Sequence, residues 1–113
     1  MRTARLDDMI KGWFVGDFEP NVLRTEAFEV AVKHYAAGDS EELHHHRVAT
    51  EVTVVISGDV RMCGQTWRPG DIVVLDPGDA TSFEALTPAT VVAVKAPSAK
   101  ADKYLGASRD EQA

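Results

Sequence analysis

The chain is short of the features that assign a protein quickly. It has a single cysteine, Cys63, which excludes an internal disulfide and fits a reducing compartment. No apolar run approaches the ~20 residues a membrane-spanning helix requires. The opening stretch, MRTARLDDMIKGW, has no apolar core of the kind a signal peptide carries, so a cytoplasmic location is expected. Basic residues are in the minority: 12 Lys and Arg face 18 Asp and Glu, for a net charge of −6. That balance argues against nucleic acid or an anionic membrane surface as the partner. Repeats, low-complexity blocks and linker-like stretches are all missing. The 113 residues therefore read as one domain, large enough for a real core.

Helical patterning is also scarce. Only residues 4–11 and the tail beyond Ala99 admit a helix, and both are short and weakly periodic. What remains is a series of short runs rich in Val, Ile, Thr and aromatics, cut by Gly, Pro, Asp and Asn. Strands are expected at 12–18, 27–36, 42–47, 50–57, 59–63, 65–68, 71–75, 81–86 and 90–96. Many short strands joined by regular turns define an all-β sandwich or barrel.

The strand phases assign faces. In 27–36, Phe28, Val30, Val32 and His34 alternate with Glu29, Ala31, Lys33 and Tyr35. The more apolar first set is the expected core face, which turns His34 inward, where an imidazole of near-neutral pKa suits a catalytic base. In 50–57, Glu51, Thr53, Val55 and Ser57 share one face. If Glu51 looks inward, the opposite face of Val52, Val54 and Ile56 is wholly aliphatic. The runs 71–75 and 91–94 are apolar on both faces as well. Something must cover the outer side: the N-terminal segment around Trp13 and Phe14, or a second subunit. A homodimer is the expectation.

Three consecutive histidines, His44 to His46, stand in a spaced frame, Gly38-x5-His44-x-His46-x4-Glu51-x6-Gly58. His44 and His46 are two apart and share a strand face. Two imidazoles and a carboxylate form a 2-His-1-carboxylate ligand set. His45 points the other way and reads as a surface or interface residue. The Glu41-Glu42 pair just before reads as a solvated loop. Cys63-Gly64 reads as an exposed hairpin turn, and Trp13 and Trp67 as packing residues.

This frame resembles the first motif of the cupin superfamily at every position. The stretch from Gly70 through the strand 71–75 to Pro77, Gly78 and Phe83 resembles the second motif, except that Thr81 stands where its histidine would be. The resemblance covers residues 38–83 and implies a double-stranded β-helix, a jelly-roll barrel with its core at about 27–96. It implies a divalent metal (Fe, Mn, Ni or Zn) inside the barrel, held by His44, His46 and Glu51, with three ligands remaining after the Thr81 replacement. Thr53, Thr81 and Phe83 are the expected walls of a pocket for a small polar ligand. Cupins include isomerases, lyases, dioxygenases and non-enzymatic binding domains. The expectation is therefore a metal-dependent enzyme of one of these types, with His34 or a bound water moving protons. The alternative is a ligand-binding cupin whose metal site is reduced or absent.

Overall fold

The structure is a computed structural model and describes residues 1–108. It holds ten strands: β1 (Trp13–Val15), β2 (Glu29–Tyr35), β3 (Ser40–His45), β4 (Thr50–Ser57), β5 (Val60–Met62), β6 (Gln65–Trp67), β7 (Ile72–Leu75), β8 (Ala80–Ala85), β9 (Ala89–Ala96) and β10 (Tyr104–Leu105). They form two five-stranded sheets in the orders β1-β2-β9-β4-β7 and β10-β3-β8-β5-β6. Every strand pairing within them is antiparallel. Nine strands fall where the residue patterns put them. The stretch 4–11 forms only a 3-10 turn at Leu6–Asp8, with no buried residue, so it has no apolar face to hold a longer helix. The tail beyond Ala99 is not helical within the described residues. It adds β10 to the edge of β3, and the rest of that expectation, residues 109–113, lies outside them.

The core fills one end of the barrel. Val55, Val60, Met62, Val73, Leu75, Phe83 and Val91 are buried there, with Tyr35 and Trp67 packed against them. Gly58 makes this end possible. Its φ is +77°, and a Cβ there would stand 2.1 Å from the Pro88 carbonyl oxygen. Only glycine fits such an approach.

The inward phase of β4 is the expected one: Thr53 and Val55 are buried. The phase of β2 is reversed. Glu29 and Ala31 are buried, whereas His34 is exposed on the outside, hydrogen-bonded through Nδ1 to Thr90 Oγ1 at 2.8 Å. His34 is therefore not an interior catalytic group. The polar set wins the interior because its members satisfy one another there. Lys95 Nζ meets Glu29 Oε1 at 3.0 Å, Ser98 Oγ donates to Glu29 Oε2 at 2.8 Å, and Lys33 Nζ meets Glu41 Oε1 at 3.4 Å.

The displaced valines join the outer face of the first sheet. The register aligns them in two cross-strand rows, Val30-Val94-Val52-Val74 and Val32-Val92-Val54-Ile72. Neither row contains a charged or polar side chain.

Candidate functional site

The end of the barrel opposite the apolar core is polar. Glu29 on β2, Lys95 on β9 and Glu51 on β4 lie side by side in one register row of the inner face. The Trp13 ring lies against two lysines at this end, with Lys95 Nζ 4.7 Å and Lys33 Nζ 5.1 Å from its centroid, close enough for cation–π attraction. Both lysines come from strands whose inward phase is set by pairing rather than by hydrophobicity.

His44 enters from β3 on the facing sheet, and His46 from the turn that follows it. A bulge between Glu41 and His44 shifts the β3–β8 register, so that Glu41 opposes Phe83 while His44 opposes Thr81. The extra residue puts Glu41 on the inner side with His44, and its half-buried carboxylate meets Lys33. The acidic pair is thus not a solvated loop at Glu41.

His46 is buried and held at both ring nitrogens. Nδ1 lies 2.6 Å from the Asp102 carbonyl oxygen and Nε2 lies 3.0 Å from Glu51 Oε2. His44 Nδ1 lies 2.8 Å from the Glu42 carbonyl oxygen. In both rings a backbone carbonyl takes the Nδ1 proton, which makes Nε2 the nitrogen free to bind a proton or a metal. The two rings stand edge to face, 5.5 Å apart. The Glu51 hydrogen bond raises the His46 pKa against the opposing effect of burial. Burial would push the Glu51 carboxyl up, but the His46 bond and the nearby lysines more than reverse it and hold it low. Both shifts favour the charged forms, imidazolium facing carboxylate, when no metal lies between them.

Asp102 is the organiser the sequence did not reveal. Its buried carboxylate accepts the backbone N–H groups of Arg47, Val48 and Ala49, at 2.9 to 3.2 Å, and so shapes the turn carrying His46. The same C-terminal strap buries His45. Nδ1 of that ring lies 2.8 Å from the Gly106 carbonyl oxygen, and Tyr104 stacks on it at 5.5 Å. His45 is therefore packed under the tail and not a surface residue.

Beneath the histidines, His44, Glu51, Thr53, Thr81, Phe83, Tyr35 and Glu41 surround a void of about 20 Å³. That is room for one ion or one water, not for a metabolite. Burial first, then the charges of Glu41 and Glu51, push the Tyr35 phenol pKa up, so it stays protonated. The Thr81 hydroxyl is already committed, accepting from the Cys63 backbone N–H at 2.8 Å and donating to the Ser82 carbonyl at 2.6 Å. Cys63 itself is exposed in its turn. A larger cleft of about 430 Å³ opens at the mouth, lined by His46, Lys95, Glu29, Asp102 and Phe18 among others. Among the described residues, no three His, Cys, Asp or Glu side chains converge as a ready ion cage, since His46 and Glu51 close on each other.

The fold is similar to a double-stranded β-helix protein from Klebsiella pneumoniae, with a TM-score of 0.70 and 24% identity over 94% of this chain and 92% of that one. It is also similar to DMSP lyase DddQ from Ruegeria pomeroyi, with a TM-score of 0.67 and 18% identity over 80% of this chain and 48% of that one. A third similar structure is a sugar phosphate isomerase of the cupin superfamily from Silicibacter pomeroyi, with a TM-score of 0.55 and 25% identity over 62% of this chain and 50% of that one. No protein-family model matches the chain, and no curated protein matches its sequence. The two antiparallel sheets and these likenesses make the chain a cupin-type double-stranded β-helix. No helix among the described residues is long and apolar enough to cross a membrane.

Proposed function

We propose that the polar end of the barrel is a divalent-metal site held by His44, His46 and Glu51, serving a small polar metabolite that docks at the mouth. One observation carries this reading. His46 Nδ1 faces a carbonyl oxygen, so its single proton in the neutral state belongs there, and Nε2 then turns a lone pair toward the Glu51 carboxylate at 3.0 Å. Two acceptors at that distance require a cation between them: a second proton, which makes the imidazolium, or a metal ion. His44 presents its Nε2 under the same backbone constraint. The donor set of two imidazole nitrogens and one carboxylate suits Fe, Mn, Ni or Zn.

A metal held there would act as a Lewis acid toward a carbonyl or enediolate oxygen. The protein's own residues define the rest. The void below is ion-sized, so the metabolite binds in the 430 Å³ cleft beside His46 and Lys95. The Lys95 ammonium, paired with Glu29, offers a charge to a substrate oxygen in that cleft, while the Tyr35 phenol, kept protonated, donates to Glu41 in the void beneath. The reaction types that fit are isomerisation, elimination and dioxygenation, the types found among cupins. The protein is expected to act in the cytoplasm.

The test is metal content of tag-free protein by mass spectrometry, with thermal melting before and after adding each metal. Stoichiometric metal in the wild type and its loss in His46→Ala supports the site. If tag-free protein carries no metal and gains no stability from iron, manganese, nickel or zinc, the cupin instead holds its ligand without one.

A further inference from the structure

We propose that Glu41 supplies a fourth protein ligand to the metal site, in the role that the second-motif histidine would have and Thr81 does not fill. The inference rests on the reading of His44, His46 and Glu51 as metal ligands and adds one residue to them.

A regular strand would turn Glu41 away from His44, since the two are three residues apart. The β3 bulge cancels that difference. Three steps along β3, from Glu41 to His44, match two along β8, from Phe83 to Thr81. Both side chains therefore face inward, and both line the ion-sized void together with Glu51. The fold thus brings a carboxylate to the void in which the chain lacks an imidazole. Thr81 lines the same void but cannot take the role, because its hydroxyl is bound to the Cys63 N–H and the Ser82 carbonyl.

The inner carboxylates are not held alike. Glu29 is fully engaged, with Lys95 3.0 Å from Oε1 and Ser98 2.8 Å from Oε2. Glu41 is held loosely. Lys33 Nζ at 3.4 Å and the Tyr35 hydroxyl at 3.5 Å both reach Oε1, at the outer limit of a hydrogen bond. The charges of Glu41 and Glu51 both act on the Tyr35 phenol, so the two carboxylates share one cavity. Burying a carboxylate without a strong partner is unfavourable, and a single ion is the partner this void has room for. Among the described residues no three donors converge yet. Lys33 holds Glu41 aside while Glu51 closes on His46. An entering ion competes with these two side-chain pairs and not with the sheet.

The donor set becomes two imidazoles and two carboxylates. It is harder than three imidazoles and one carboxylate, which shifts the preference toward manganese relative to nickel.

The test is the affinity of the tag-free full chain for manganese and for nickel, each by competition with a chelator, with folding checked by circular dichroism. Glu41→Gln should weaken manganese binding at least about tenfold, the loss that even an outer-shell partner causes, and nickel binding less. Glu41→Asp keeps the charge but shortens the arm, so it too should weaken manganese binding, and it decides the point if Glu41→Gln does not fold. In a Thr81→His background Glu41→Gln should cost little, because an imidazole then takes the fourth position. Wild-type manganese affinity in Glu41→Gln, with binding abolished in His46→Ala, overturns the ligand role and leaves the three-ligand site standing. An equal loss with and without Thr81→His overturns it as well, since Glu41 would then act through its charge alone. A wild type that binds no divalent ion overturns the site and this ligand together.

Discussion

His46 bridges two distant parts of the chain: its Nδ1 rests 2.6 Å from the Asp102 carbonyl oxygen and its Nε2 3.0 Å from Glu51 Oε2. The C-terminal strap thus sets the tautomer of a ring whose other nitrogen faces the centre of the barrel. Tertiary contact, not local sequence, decides what this histidine can bind.

The metal-free protein should carry that pair into its pH dependence. The His46 pKa is raised, so its contribution is complete below the unfolded value of about 6.5 and fades as pH rises through the folded value. The Glu51 pKa is lowered, so its contribution is complete above about 4.5 and fades as pH falls through its folded value. Thermal melting in chelator should therefore show the pair's effect greatest between about pH 4.5 and 6.5 and weakening toward alkaline pH. Glu51→Gln should flatten the alkaline part of this profile. An unchanged profile in that variant would mean that the pair is not ionised.

Asp102→Ala removes the acceptor for three backbone N–H groups at the His46 turn. Hydrogen bonds to a buried charge suggest a loss of about 2–3 kcal/mol in urea unfolding. Burial opposes the ionised form, yet the N–H groups of Ala49, Arg47 and Val48 hold the Asp102 pKa low. The wild type should therefore lose this contribution as pH drops below about 3.8, while the variant has none to lose.

The two motif glycines should respond differently to alanine. Gly38 has φ +88° with open space where a Cβ would go, so Gly38→Ala should cost about 1 kcal/mol of conformational strain. At Gly58 the same strain is joined by a Cβ 2.1 Å from a carbonyl oxygen. Gly58→Ala should cost about 3 kcal/mol or more, since backbone must move. Equal melting temperatures for the two variants would contradict this.

Thr81→His would restore the histidine of the second motif at a price in packing. Thr81 is buried against an ion-sized void, and its hydroxyl is the acceptor for the Cys63 N–H. The metal-free variant should be destabilised by about 1–3 kcal/mol. Its melting temperature should then rise more than that of the wild type on adding nickel or zinc. Equal metal-induced shifts would place residue 81 away from the ion.

His34→Ala tests the corrected phase of β2. The side chain is exposed and bonded only to Thr90, so stability should change by less than about 0.5 kcal/mol and metal binding not at all. Loss of metal in this variant would return His34 to the interior.

The cupin fold was legible in the chain itself, because glycine, proline and the period-two runs act locally. The Gly58 turn, the Pro77-Gly78 turn and the β4 phase each follow from residues within one or two strands. The approach of His46 to Glu51 was suggested only by the motif resemblance, because His46 follows β3 of one sheet and Glu51 lies on β4 of the other. The β2 phase was not legible. Its two faces are both acceptable alone, and only Lys95, Ser98 and Glu41, arriving from elsewhere in the chain, make the polar face the inner one. The bulge that turns Glu41 inward is likewise fixed by the register with β8. Asp102 and the strap over His45 come from more than 50 residues away and carry no local signal. Sequence determined the elements, since each needs only its own neighbours. The tertiary structure decided which polar groups share a cavity, because burying a charge depends on a partner that no local pattern can name.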